Sequence, residues 1–227
     1  MHTPDVTQIN SPNFGTRRHG LPPDMVVIHY TAMETSDAAC ARLCNAMAEV
    51  SAHYLISEQG KIIQLVPEDM RAWHAGAGAW GDVEDVNSHS IGIELANTGC
   101  APFPAAQMDA LEVLLSGIMA RWSIPVARVI AHSDMAPKRK FDPGPRFDWE
   151  RLALGGYSVW PNGAKAVNGS WVDFLVYAGA FGYRCDDKDA LLEAFRMRFM
   201  PHKKGVLDSV DIGAMKLLAA KWPCGDS

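Results

Sequence analysis

Three short apolar runs constrain the fold of this 227-residue chain more than any other feature. They lie at 25–30, 90–95 and 126–131, and nearly every residue in each of them is apolar. Such runs are typical of strands that are buried on both faces of a sheet. Amphipathic helical patterns lie between them, at about 36–47 and 104–122. We therefore predict an α/β fold in which helices flank a mixed central sheet.

Each of these three strands brings an ionisable side chain into an apolar setting. His29 lies near the end of the first run, Glu94 lies within the second, and His132 directly follows the third. A carboxylate in such a run costs free energy unless it is paired or functional. A histidine that merely satisfies the core is the alternative interpretation of His29.

The loop that follows His132 is rich in proline and glycine and leads to Asp142. Such a loop is stiff enough to hold the Asp142 carboxylate in one place. Three cations, of which Lys140 is the last, lie between the two residues. Imidazole and carboxylate groups are zinc ligands, which makes His29, His132 and Asp142 a candidate metal set. A solvated basic surface loop is the alternative for this stretch.

Two imidazoles and one carboxylate leave a fourth zinc position open, as a catalytic site requires. Zinc lowers the pKa of bound water toward about 7. Glu94 is then the candidate base, and Lys140 is the candidate cation for a developing oxyanion. These residues predict a zinc hydrolase with one Zn²⁺ per chain, although the H-E-x-x-H motif is absent.

The other N-terminal segments are predicted from local patterns. Residues 1–24 are expected to form an irregular lead-in, and Ser36 is expected to cap the first helix. The runs at 51–56 and 61–66 predict a β-hairpin. A long loop at 68–85 carries two tryptophans and His74 among small residues, which suits the wall of a groove.

The composition changes after residue 155. A segment rich in Gly, Pro and Asn is followed by three helical patterns, at about 171–181, 187–199 and 208–221. We predict a catalytic domain at 1–155, a linker at 156–170 and a small three-helix domain at 171–227.

Composition excludes several classes of partner. The net charge of −5 gives no reason to expect nucleic acid or an anionic membrane. No apolar run approaches the roughly 20 residues of a transmembrane helix. The sequence as it stands has no export signal and favours the cytoplasm, or the periplasm if a signal was trimmed. An odd number of cysteines, five, argues against a disulfide framework.

Five segments together resemble a known family. The chain is similar to the zinc-dependent N-acetylmuramoyl-L-alanine amidases of the AmpD/AmiD type, the amidase-2 family. The similar segments are I-H-Y-T at 28–31, V-S-A-H-Y-L-I at 50–56, R-A-W-H-A-G at 71–76, S-I-G-I-E-L at 90–95, and H-S-D-M-A-P-K-R-K-F-D-P-G-P-R-F-D-W at 132–149.

The resemblance implies the fold shared with peptidoglycan-recognition proteins and cleavage of the amide between N-acetylmuramic acid, or its anhydro form, and L-alanine of the stem peptide. The family's zinc ligands fall on His29, His132 and Asp142. Its catalytic residues fall on Glu94 and Lys140, so the family and the residue chemistry select the same five positions.

The resemblance also implies partners and substrate contacts. Peptidoglycan fragments or polymer are the expected partners, and His74 and Asn97 are the expected substrate contacts. Some relatives carry an arginine immediately before V-S-A-H, where this chain has Glu49. The C-terminal helices resemble a small peptidoglycan-binding domain, with a structural three-helix appendage as the alternative.

Three other functions remain open at this stage. The first is a peptidoglycan-recognition module that binds on the same fold without cutting. The second is a peptidase that uses Cys100 near His74, and the third is a protein whose zinc is only structural.

Overall fold

The computed structural model describes residues 5–224 and contains one main sheet and one small sheet. The main sheet has the strand order β1–β5–β4–β7–β3–β8 and comprises β1 (Val6–Gln8), β3 (Met25–Tyr30), β4 (Tyr54–Ile56), β5 (Ile62–Gln64), β7 (Ser90–Leu95) and β8 (Val129–Ala131). Its strands are parallel except where β4 and β5 form the predicted hairpin. The small sheet pairs β2 (Phe14–Thr16) with β6 (Met70–Ala72) in antiparallel orientation. The mixed central sheet is confirmed.

Helices cover both faces of the main sheet. They are α1 (Ser36–Leu43), α2 (Val86–His89), α3 (Ala105–Trp122), α4 (His132–Met135), α5 (Trp149–Leu154), α6 (Trp171–Phe181), α7 (Lys188–Phe199) and α8 (Ser209–Lys221). The predicted α/β class and the three C-terminal helices are confirmed. None of the helices in residues 5–224 has the length and apolar character needed to span a membrane.

Strand alternation sends alternate side chains of β3 to opposite faces. Val26 and Ile28 face α3 in one buried cluster. Met25 and Val27 face the opposite side, where they share a second cluster with residues of α6, α7 and α8. The C-terminal helices therefore pack directly on the sheet, while the division into two domains stays a prediction.

The second face also carries the ionisable side chains. Parallel pairing of β3 with β7 places His29 opposite Glu94 and Val27 opposite Gly92. Because the strands run in the same direction, both ionisable residues lie at the carboxyl edge of the sheet. Ligands bind at this edge in open α/β sheets.

The prediction of an irregular lead-in is wrong for residues 6–8 and 14–16, while residues 9–13 between them are irregular as predicted. Val6–Gln8 pairs with Ile62–Gln64, and Phe14–Thr16 pairs with Met70–Ala72 inside the predicted loop at 68–85. Both segments are three residues long, so pairing with distant strands decides their conformation and no local pattern reveals it. Residues 1–4 of the predicted lead-in lie outside the described residues.

Three ends of two elements also differ from the prediction. Thr35, and not Ser36, caps α1, because its hydroxyl accepts a hydrogen bond from the backbone N–H of Ala38. The helix ends at Leu43, and a separate 3₁₀ turn follows. In the third apolar run, residues 126–128 form a 3₁₀ turn after Pro125, so β8 keeps only the last three residues.

Candidate metal centre and active-site groove

The three predicted ligand residues converge although they lie up to 113 positions apart. His29 Nδ1 lies 2.8 Å from His132 Nδ1 and 2.8 Å from Asp142 Oδ2. His132 Nδ1 lies 2.9 Å from the same carboxylate oxygen. All three side chains are buried, and together they form a group that could hold a metal ion.

Hydrogen bonding determines which atom His132 offers. Its Nε2 lies 2.8 Å from the carbonyl oxygen of Ala75, which can only accept, so Nε2 carries the proton. A ring with its single proton on Nε2 has a free lone pair on Nδ1, which here is aimed at His29 and Asp142. Burial, followed by the neighbouring His132, lowers the pKa of His29 to about 4, so the His29 ring is neutral at neutral pH. Acceptor atoms thus face one another, which fits a cation between them.

Asp142 is held in place and ionised. Its carbonyl oxygen accepts a 3.0 Å hydrogen bond from the backbone N–H of Ser133, next to His132. Burial alone would raise the pKa of the Asp142 carboxyl, but the adjacent imidazoles of His132 and His29, in their protonated forms, hold it well below its usual range. The ligand set therefore carries a negative charge for a metal cation.

Glu94 is the unpartnered acid of the site. Burial, helped by the charge of Asp142 and opposed by Lys140, raises the pKa of Glu94 to about 8. Its Oε2 atom is buried and has no hydrogen-bond partner within residues 5–224. Glu94 as a whole is half-buried, but a buried carboxylate oxygen without a partner is costly, and such groups are typical of functional sites.

A groove of about 360 Å³ opens onto these residues. Lys140 lies in its wall, where its charge acts on both Glu94 and His29. Lys140 is placed by a turn in which its backbone N–H donates to the carbonyl of Ala136. The predicted base, the predicted cation and the three ligands therefore share one groove, whose other walls include Tyr30, Arg42, Trp73 and Phe141.

Comparison with known proteins identifies the family of the chain. The Amidase_2 family, described as N-acetylmuramoyl-L-alanine amidase, matches residues 19–145. The chain belongs to this family. AmiD of Escherichia coli K12 is 44% identical over 160 residues, an alignment that spans 63% of this chain and 56% of AmiD. AmpD of Enterobacter cloacae, a 1,6-anhydro-N-acetylmuramyl-L-alanine amidase, is 34% identical over 65% of this chain and 88% of its own length.

Solved structures of the same family share the fold. The complex of E. coli AmiD with anhydro-N-acetylmuramic acid-L-Ala-D-γ-Glu-L-Lys is 34% identical, with a TM-score of 0.82 over 90% of this chain and 92% of AmiD. AmpDh3 of Pseudomonas aeruginosa is 29% identical, with a TM-score of 0.80 over 91% of this chain and 95% of its own. Alignments of this length include part of the C-terminal helices of this amidase-family chain.

The two predicted substrate contacts of this family member have protein partners in the structure. The ring nitrogens of His74 lie 3.0 Å from His29 Nε2 and 3.2 Å from Ser90 Oγ. The amide of Asn97 donates to the carbonyl of Ala101 and accepts from the backbone N–H of Gly99. Contact of either residue with substrate stays a prediction.

The thiol-peptidase alternative finds no support in these contacts. Cys100 is exposed and does not line the groove. Both ring nitrogens of His74 already face His29 and Ser90, so neither is free to activate a thiol.

Two buried arginines near the site were missed from the sequence. Arg17, in the lead-in, donates to the carbonyls of Glu68, Ser88 and Ser90. Arg198, on α7, pairs with Asp134 in the metal loop, which is the segment 132–142 that carries the candidate ligands His132 and Asp142. An arginine in a polar lead-in or on an amphipathic helix reads as an exposed residue, so the sequence offered no signal for either.

Proposed function

We propose that this chain hydrolyses the amide bond between N-acetylmuramic acid, or its anhydro form, and L-alanine of peptidoglycan stem peptides. The reaction depends on one zinc ion held by His29, His132 and Asp142. The convergence of three ligand atoms beside the unpartnered carboxylate of Glu94 carries this proposal. Zinc supplies Lewis acidity at such a site, which polarises a carbonyl and lowers the pKa of water.

Glu94 has the position and the protonation behaviour of a general base. Its carboxylate takes the proton of the attacking water and returns it to the leaving amine. The pKa of about 8 applies to the metal-free protein, and a nearby divalent cation lowers it because the cation favours the charged form. Glu94 is then ionised at neutral pH. The ammonium group of Lys140, in the same groove, stabilises the developing oxyanion.

The substrate class follows from relatives of known structure. AmiD has been solved with an anhydromuramyl tripeptide, and AmpDh3 with an anhydromuramic pentapeptide. The groove beside the metal centre is the corresponding place for the lactyl amide of such a molecule in this chain. Peptidoglycan polymer is the second substrate to test, and the predicted binding role of the C-terminal helices bears on that polymer.

The recognition module without activity is the second candidate function. Such a module needs neither a complete ligand set nor a base, whereas this chain retains both. The complete set therefore favours the enzyme. A structural zinc is disfavoured because structural sites close all four positions with protein ligands.

The decisive experiment compares zinc-loaded wild-type protein with Glu94→Gln and with Glu150→Gln, an exposed acid on α5. Release of stem peptide from an anhydro-N-acetylmuramyl tripeptide is followed by mass spectrometry, and zinc content is measured in each sample. Because Gln cannot accept the proton, Glu94→Gln should lose activity by about 10²-fold or more while its zinc content is unchanged. Lys140→Met should also be slower, and Glu150→Gln should match wild type.

Two results would refute the proposed mechanism. Full activity of the Glu94→Gln variant would remove Glu94 from the reaction. Failure of zinc-loaded wild type to cleave either the tripeptide or intact sacculi, with binding retained, would establish the recognition module.

A further inference from the structure

A line of hydrogen bonds leads from the candidate ligand His29 into the protein. His29 Nε2 lies 3.0 Å from His74 Nδ1, and His74 Nε2 lies 3.2 Å from the hydroxyl of Ser90. The Ser90 hydroxyl in turn donates to the backbone carbonyl of Val86. Ser90 is fully buried, so no water competes for its hydroxyl.

The donor and the acceptor of each bond follow from the last group in the line, the carbonyl of Val86. A carbonyl only accepts, so Ser90 spends its one proton on Val86 and must accept from His74 Nε2–H. The neutral His74 ring then has a free lone pair on Nδ1, which accepts from His29 Nε2–H. With its proton on Nε2, His29 presents a bare Nδ1 toward His132 and Asp142.

This direction matters because the His29 ring has a competing arrangement. Its Nδ1 lies 2.8 Å from Asp142 Oδ2, so a proton on Nδ1 would form a hydrogen bond with that carboxylate. A proton there would occupy both ligand atoms, and a metal ion would have to displace it. The lone pair of His74 opposes this by holding the proton on Nε2.

We infer that Ser90 and His74 are positioning residues that lock His29 in the tautomer with a free Nδ1 for the metal. The inference rests on the metal centre of the proposed function and deepens it. It also gives His74 a role other than substrate contact. Second-shell partners of this kind orient metal-binding histidines and fix their tautomers.

The surrounding backbone is built to seat the His74 ring. Ser90, Gly92 and Glu94 alternate along β7 and share the face of the sheet that carries the site. A Cβ atom at Gly92 would lie only 2.4 Å from the His74 ring, so the ring needs glycine at this position. Ser90, two residues before Gly92, contacts the His74 ring. Glu94, two residues after Gly92, is the candidate base.

The loop that carries His74 also supports His132, the second candidate ligand. The side-chain oxygen of Asn87 accepts from the backbone N–H groups of both His74 and Ala75, at 3.0 and 2.9 Å. The carbonyl of Ala75 accepts from His132 Nε2. One loop therefore fixes the tautomers of both metal-binding rings, with the His74 side chain acting on His29 and the Ala75 backbone acting on His132.

The test measures zinc affinity of the full chain by competition with a chromophoric chelator, without substrate. His74→Leu removes the acceptor and should weaken zinc binding about 10- to 100-fold. His74→Asn offers an amide oxygen near the position of Nδ1 and should bind zinc more tightly than His74→Leu. Ser90→Ala should show a smaller loss, and His202→Leu, at an exposed histidine, should match wild type.

Nitrogen NMR gives a second readout that a merely structural role would not move. Long-range ¹H–¹⁵N correlations identify which imidazole nitrogen carries the proton. In metal-free wild type, His29 should carry it on Nε2. In His74→Leu, protonation of His29 should shift toward Nδ1, while His132 keeps its proton on Nε2 because Ala75 is unchanged.

Two outcomes would overturn the inference. One is wild-type zinc affinity in both His74→Leu and Ser90→Ala, and the other is a proton on His29 Nδ1 in metal-free wild type. If His74→Leu fails to fold by circular dichroism, Ser90→Ala and the wild-type spectrum still decide. Neither readout uses substrate, so a protein that binds zinc as described but cleaves nothing would refute only the proposed function.

Discussion

Arg198 on α7 is expected to contribute both to the stability of the protein and to the zinc affinity of the metal loop. Its guanidinium pairs with Asp134 on α4, and both side chains are fully buried. It also donates to the carbonyl of Val129 at 2.9 Å. Asp134 in turn accepts from Tyr183 at 2.7 Å and from the backbone N–H of Ala131 at 2.8 Å. The pair thus joins the C-terminal helices to the strand that delivers His132.

Replacing Arg198 with Met keeps most of the side-chain volume and removes the charge. Asp134 then stays buried without its counter-ion, a change that costs about 3–5 kcal/mol in comparable pairs. Asp134→Asn removes the stranded charge, so the double variant should be more stable than the sum of the two single effects implies. We expect a coupling free energy of about 1–3 kcal/mol between the two positions.

The assay is urea unfolding of the metal-free full chain, with the midpoint and slope fitted for each variant. The control is Asp82→Asn, which breaks the exposed ion pair with Arg184 of the C-terminal segment while Arg184 keeps its hydrogen bond to the carbonyl of Gly81. Exposed pairs contribute about 0–1 kcal/mol, so this variant should lie close to wild type.

Zinc affinity gives the same prediction a functional readout. Asp134 accepts from Ala131, which immediately precedes the ligand His132, so loss of Arg198 should also weaken zinc binding. A loss of less than 1 kcal/mol in Arg198→Met, with unchanged zinc affinity, would refute the argument that this pair supports the metal loop.

Two further predictions concern pH and packing. In metal-free protein the pKa of Glu94 is raised to about 8, so between about 4.5 and 8 the folded state holds a proton that the unfolded state releases. This stabilisation is complete below about pH 4.5 and is lost as the pH rises to about 8. The buried histidines, whose pKa values are lowered, give a slope of opposite sign that is the same in Glu94→Gln. Urea unfolding between pH 6.5 and 8 should therefore show the stability of wild type relative to Glu94→Gln falling by roughly 1 kcal/mol per pH unit, and a constant difference would contradict the raised pKa. In α8, a Cβ atom at Gly213 would lie 1.9 Å from the backbone oxygen of Lys165, so Gly213→Ala should cost about 1–3 kcal/mol. Gly179→Ala in α6 meets nothing within 4 Å and should instead stabilise by about 0.5–1 kcal/mol, and equal effects of the two substitutions would contradict the packing.

The positions of the candidate ligands could be predicted because their strands have strong local patterns. His29 and His132 each stand at the end of an apolar run, and parallel strands bring such ends to one edge of a sheet. Asp142 is close to His132 in the chain. Glu94 was conspicuous because an acid is costly in an apolar strand.

The supporting residues could not be predicted because their roles depend on partners far along the chain. Ser90 is the first residue of β7, and a serine there could equally be an exposed surface residue. Its hydroxyl contacts His74 only because the His74 ring packs against Gly92. The two strands of the lead-in likewise have no local sequence pattern that predicts them. Each is three residues long, and its partner lies more than 50 residues away.

Support for the candidate metal centre comes from two distant parts of the chain. On one side of His132 the carbonyl of Ala75 fixes the ring, and on the other Asp134 is neutralised by Arg198. The C-terminal helices also cover the apolar side chains of Met25 and Val27 on the face that carries the site. Residues before and after the change of composition at 155 are therefore in direct contact. Because the buried pair of Arg198 with Asp134 and one shared apolar core join these two parts, substitutions in α7 should alter metal affinity as well as stability.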